Sequence, residues 1–161
     1  LSNAKCDARS LFAQLGADSV YKKMFTIQGQ ALISGNAQGE IIFTDEPLSF
    51  WGGYSAREGK IIDTHHALYG VKVAGKIFVL PGARGSSTGS GILLEALRSG
   101  VAPAALILKQ RDAILALGAV VGRELYGQSI SLTLVTDADF EKLRDAKFAR
   151  VHDAGVIEYQ E

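Results

Sequence analysis

Residues 75–82, Gly-Lys-Ile-Phe-Val-Leu-Pro-Gly, set four consecutive apolar side chains between a glycine and a Pro-Gly pair. A strand with no polar alternation has both faces buried, as in a parallel sheet with helices packed over it. The sequence downstream repeats the pattern. Residues 89–98 read as a helix with Ile92, Leu93, Ala96 and Leu97 on one stripe, and Gly100 supplies its C-terminal cap. Residues 104–109 are a second apolar strand, and 112–125 a mostly apolar helix opened by Asp112 as N-cap. Residues 130–135 are a third strand. Thr136, with Asp139 three residues on, then starts a third helix. Short strands at 149–153 and 155–159 close the chain.

Upstream, 24–35 predicts a strand broken at Gly35, and 39–48 another stopped at Pro47. Residues 49–60 read as a loop and 60–63 as a short strand. The order is therefore a β-rich N-terminal half followed by alternating strands and helices. This is a mixed α/β domain of β/β/α type. A chain of 161 residues suits one domain with a real core. Residues 24–161 are read as that domain. Residues 1–23 read as an expression tag or as a linker from a fused large domain, and 7–16 could form two helical turns.

Seventeen basic residues balance seventeen acidic ones, so no basic field points to nucleic acid or an anionic membrane. No apolar run approaches the roughly 20 residues of a membrane helix. The single cysteine, Cys6, excludes an internal disulfide and any site built from several cysteines, and its isolation points to a cytoplasmic home.

The connection from strand to helix carries the chemistry. Residues 82–91 consist of Gly, Ala, Ser, Thr and one Arg. A capped turn needs far less. The first amides of a helix lack partners and sit at the positive end of its dipole, so such a junction favours an anion. Arg84 can clamp a carboxylate or phosphate, and Ser86, Ser87, Thr88 and Ser90 add hydroxyls. No lysine follows the last glycine as a P-loop needs, and the G-x-G-x-x-G spacing is missing. Residues 85–89 do match G-x-S-x-G as a string, with Ser87 in the nucleophile place. The only later histidine is His152, in a chain short for an α/β-hydrolase. The other unusual stretch holds Trp51 in a Gly-rich loop, followed by Asp63, His65 and His66. Adjacent histidines cannot share a face, so this cluster is a weak metal site.

Taken together, the Leu-Ser-Phe-Trp-Gly-Gly string at 48–53, the Gly-Lys-Ile-Ile-Asp run at 59–63, the His pair, and the Gly-Ala-Arg-Gly-Ser-Ser-Thr-Gly-Ser loop at 82–90 resemble the small subunit, or swivel domain, of the aconitase-X family. The resemblance covers about Phe25 to Leu134. It implies a dehydratase component whose large subunit or domain carries an iron–sulfur cluster on three cysteines. It implies cis-3-hydroxy-L-proline as substrate, or mevalonate 5-phosphate in archaeal-type members. It also implies that Ser86, the first serine after the Arg-Gly pair, is the catalytic base. Arg84 and the amides of Ser87 and Thr88 would hold carboxylate charge, with Ser49 and Trp51 walling the pocket. The family's proline after the His pair is Ala67 here, so no role passes to His66. One cysteine cannot hold such a cluster, so the resemblance implies that the chain is inactive without a cysteine-bearing partner. The other open reading is a stand-alone anion-binding or phosphohistidine module with His65 or His66 as acceptor.

Overall fold

The computed structural model describes residues 23–85 and 87–161. The two-turn helix expected at 7–16 and Ser86, the expected base, lie outside the described residues. Along the chain come β1 (Phe25–Gln28), β2 (Gln30–Ile33), β3 (Ala37–Phe43), the distorted turn α1 (Phe50–Gly53), β4 (Tyr54–Ser55), β5 (Lys60–Ile61), β6 (Ile77–Leu80), α2 (Gly89–Arg98), β7 (Ala105–Leu108), α3 (Ala113–Tyr126), β8 (Ser131–Leu134), α4 (Asp137–Lys142), β9 (Phe148–Val151) and β10 (Val156–Gln160). The expected helix starts are present. Asp112 Oδ1 accepts from the amides of Ile114 and Leu115 at 3.0 and 2.9 Å. Thr136 Oγ1 accepts from the Asp139 amide at 3.2 Å. Each such cap is worth about 1 kcal/mol.

Eight strands form one sheet in the order β1-β10-β9-β3-β6-β7-β8-β2, and β4 pairs with β5 as a separate ribbon. β3, β6, β7 and β8 run parallel, and the other pairings are antiparallel. β3 belongs to both halves: Ala37–Glu40 pair with β9, and Ile41–Phe43 with β6. β1 and β2 stand at opposite ends of the sheet, yet only Gly29 separates them in sequence. The sheet therefore curls until its two ends meet at Gly29. This corrects the single strand expected over 24–35, whose break falls at Gly29 rather than Gly35. The Gly29 amide donates to the Gly155 carbonyl at 3.0 Å, which joins β10's turn to the switch point.

The apolar runs are buried on both faces. Phe78, Leu80, Leu106 and Leu108 pack with Leu93, Leu97, Leu115 and Ala119 under α2 and α3. Ile77, Val79, Ala105 and Ile107 join Ile27, Ile41, Val151, Ile157 and Phe140 inside the curl. Each large side chain so buried contributes about 1.5–3 kcal/mol. The result is the β/β/α layering expected, with helices over one face and the antiparallel strands folded over the other.

Thr133 is fully buried in β8, and its Oγ1 has no hydrogen-bond partner among the described residues. Thr133→Val keeps the shape and removes a buried polar atom without a partner. It is expected to raise stability by about 1 kcal/mol, read as an upward shift in the midpoint of urea unfolding with an unchanged slope.

Candidate active site

The parallel strands deliver their following loops to one edge of the sheet, where open α/β folds place ligands. Leu48 forms a parallel bridge with Ala83, and the Arg84 amide donates to the Leu48 carbonyl at 3.1 Å. These contacts join the two stretches singled out in the sequence, 48–53 and 82–91, into one surface before α2. Ser49 Oγ lies 3.3 Å from where a side chain on Gly85 would begin, so the glycine allows this close approach. Asp112 holds the loop from below. While Oδ1 caps α3, Oδ2 accepts from the Ala83 amide at 2.9 Å. The Pro81 carbonyl accepts from the amides of Lys109 and Gln110 at 3.2 and 2.9 Å.

The 50–53 turn separates two neighbouring aromatics. Phe50 goes into the core and stacks on Tyr54, with ring centroids 5.5 Å apart. Trp51 turns outward and is 60% exposed. Extended and positive-φ backbone at Trp51 and Gly52 makes this turn irregular. Ser49 Oγ donates to the Trp51 carbonyl at 2.7 Å and fixes it. Ser49 thus lies against the loop at Gly85, while the Trp51 side chain is largely exposed.

Arg84 reaches back across the surface. Its Nη2 donates to Asp63 Oδ2 at 3.2 Å, and its side chain remains 57% exposed. Asp63 is the more enclosed partner. Its Oδ1 accepts from the His65 amide at 2.9 Å, and this bond, with help from Arg84, holds the carboxyl below its ordinary pKa range. Arg84 is therefore aimed by a carboxylate that a turn has already fixed. Ser87 and Thr88 are exposed at the mouth of α2. The amides of Ser90, Gly91 and Ile92 donate to the carbonyls of Ser87 and Thr88, which winds the first turn tightly.

The two histidines part as adjacent residues must. His65 points into solvent. The His66 side chain is only 1% exposed. Its Nδ1 accepts from the Leu68 amide at 3.1 Å, so Nε2 carries the proton, 3.4 Å from the Glu46 carbonyl. With both ring nitrogens engaged, His66 shapes the loop and offers no accessible acceptor. Among the described residues no three His, Cys, Asp or Glu side chains gather to hold a metal ion. Outside them the sequence adds Cys6, its single cysteine, with Asp7 and Asp18. These residues do not fit an iron–sulfur cluster. Sequence reasoning missed two residues: Asp63 as the holder of Arg84, and the second role of Asp112. Asp63 lies 21 positions from Arg84, and no local pattern reports that pair.

Fold and site together define a β/β/α domain that presents an arginine, hydroxyls and a helix start on one open edge. A family model described as the aconitase X swivel domain matches residues 26–159, and the chain belongs to that family. The cis-3-hydroxy-L-proline dehydratase of Pseudomonas aeruginosa is 42% identical over 132 residues, 82% of this chain and 23% of that protein. The enzyme of the same name from Hypocrea jecorina is 41% identical over 83% of this chain and 22% of its own length. The chain thus spans less than a quarter of these relatives. The phosphomevalonate dehydratase small subunit of Thermococcus onnurineus is 31% identical, over 84% of this chain and 98% of that subunit. The crystal structure of Thermococcus kodakaraensis aconitase X in its holo-form superposes with a TM-score of 0.75 at 32% identity, over 85% of this chain and 99% of that one.

Proposed function

We propose that this domain is the swivel component of an aconitase-X-type hydro-lyase that dehydrates cis-3-hydroxy-L-proline to a pyrroline-2-carboxylate. Ser86 is the base. It takes the proton from the carbon beside the carboxylate, and the neighbouring hydroxyl leaves as water. Arg84 and the amides of Ser87 and Thr88 hold the carboxylate, whose charge grows as the proton departs. Ser49 and Trp51 close one side and exclude water. The chemistry needs a Lewis acid to loosen the hydroxyl and offset charge. An iron–sulfur cluster on the cysteines of a large subunit or domain would supply it. This chain alone is then inactive.

One observation carries the reading: the bridge from Leu48 to Ala83 brings the 48–53 turn, with Ser49, next to the Arg84 loop. The higher identity to the two hydroxyproline dehydratases supports the substrate. Mevalonate 5-phosphate is the second reading, favoured by coverage of almost the whole Thermococcus small subunit. The test is anaerobic co-expression with cysteine-bearing large subunits and assay of both substrates. Turnover of hydroxyproline is expected. Turnover of the phosphate alone selects the second reading, and no turnover of either rejects both substrates.

Asp63→Asn probes the aim of Arg84. Asparagine can still accept from the His65 amide, but the charge pair is gone. An exposed pair is worth up to about 1 kcal/mol, so kcat/KM is expected to fall about fivefold. In an Arg84→Ala background the same change is expected to add nothing, which steady-state kinetics on the four proteins of the cycle will measure.

A further inference from the structure

α3 is apolar on two faces, but the protein covers only one. Its inner face is built from Leu115, Gly118, Ala119 and Gly122, all buried. A side chain at Gly118 would begin 2.8 Å from the Ser90 carbonyl oxygen, so the small residues let α2 come close. On the outer face Leu117 and Leu125 are 56% and 64% exposed, with Val121 between them and Tyr126 beside them. Arg123 and Glu124, both exposed near its C-terminal end, are the only charged residues of α3.

The exposed aromatic and apolar residues on the other flank fit the same picture. Apart from Met24, the exposed large apolar side chains among the described residues fall in two groups. One is Trp51, Ile62 and Tyr69, and the other is the α3 face. The turn that carries Trp51 is joined to the site loop through the bridge of Leu48 to Ala83. A side chain on Gly89 would begin 3.6 Å from Phe50 Cβ and 3.7 Å from Ile114 Cγ2, so the first residue of α2 touches both flanks. The α3 face thus begins, at Ile114, next to the first residue of α2.

We propose that the outer face of α3, centred on Leu117, Val121 and Leu125, is the surface on which the cysteine-bearing large subunit or domain docks. This rests on the reading of the chain as a swivel component. The occupant follows from the comparisons. The same domain is less than a quarter of the Pseudomonas and Hypocrea chains but nearly a whole subunit in Thermococcus. Where no peptide bond joins it to the rest, a surface must hold it. A stable interface buries roughly 1,200–2,000 Å² with an apolar centre, which scattered polar loops do not provide. A body that completes the site meets the start of α2, beside which the α3 face begins at Ile114.

The test is a Leu117→Glu, Leu125→Glu double variant of the full chain, co-expressed with the large subunit beside wild type and Ser86→Ala. Both positions are exposed, so the variant's melting temperature is expected to match wild type. Its dissociation constant for the large subunit is expected to rise at least 100-fold, as for loss of central interface side chains. Turnover is expected to fall at low subunit concentration and recover at high concentration. Ser86→Ala is expected to bind as wild type does. An unchanged dissociation constant overturns the docking face and leaves the hydro-lyase reading standing. Failure of wild type to bind any such subunit overturns both. Dimerisation of the isolated chain, abolished by the double variant while large-subunit binding persists, assigns the face to a second copy instead.

Discussion

Replacing Ser86 by Ala is expected to cut turnover of the assembled enzyme by roughly 10²- to 10⁴-fold, the usual share of a positioned acid–base group. A serine hydroxyl is a poor base in water. It serves only where its alkoxide is stabilised, and the sequence sets Ser86 between Arg84 and the start of α2, two sources of positive potential. The variant deletes one oxygen and keeps the small side chain, so binding to the large subunit and KM are expected to stay near wild type. Exchange gives the sharper readout. In deuterated water wild type is expected to wash deuterium into the carbon beside the carboxylate of recovered substrate, and Ser86→Ala is not. Ser87→Ala is the necessary companion, because Ser87 holds the central place of the G-x-S-x-G string. If Ser87→Ala abolishes exchange and Ser86→Ala leaves it intact, the assigned base is wrong.

Local signals in the sequence were reliable where the physics is local. The run Ile77–Leu80 announced a strand buried on both faces, and the structure splits its side chains between two cores. Asp112 and Thr136 announced helix starts through hydrogen bonds spanning two or three residues. Closure of the sheet was illegible, because nothing in 24–35 says that residues either side of Gly29 pair with β10 and β8, each more than 100 positions away. The site behaves likewise. The Gly- and Ser-rich loop with its arginine stood out from composition alone, and it forms the junction between β6 and α2. That Asp63 holds Arg84, and that Asp112 holds Ala83, depends on where distant loops meet. His66 shows the reverse. Beside His65 it invited a metal or phosphate reading, and burial with both nitrogens bonded makes it part of the loop's framework.

Gly155→Ala is expected to damage stability severely for a change of one methyl. Gly155 lies in the β9–β10 turn at φ +80°, a conformation that costs an alanine about 1–2 kcal/mol wherever it occurs. Here the methyl would also begin 2.8 Å from Gly29 O and 2.8 Å from the Ala31 amide nitrogen. Both are backbone atoms at the point where the strand leaves β10 for β8, so no side chain can swing aside. Relief requires moving Gly29, whose own built side chain would meet the Leu134 carbonyl oxygen at 2.9 Å on the other side. The two ends of the sheet are therefore forced apart. A total cost of about 3–5 kcal/mol is expected, a large part of the roughly 5–15 kcal/mol that holds a domain folded. Gly75→Ala separates the two causes. Gly75 has φ +70°, and a side chain there meets nothing within 4 Å, so that variant carries the backbone strain alone. Urea unfolding of the two variants against wild type gives the comparison. A Gly155→Ala cost well above that of Gly75→Ala measures how tightly the sheet closes on itself. Equal costs would mean that the ends of the sheet yield freely, and that closure at Gly29 contributes little to the stability of the fold.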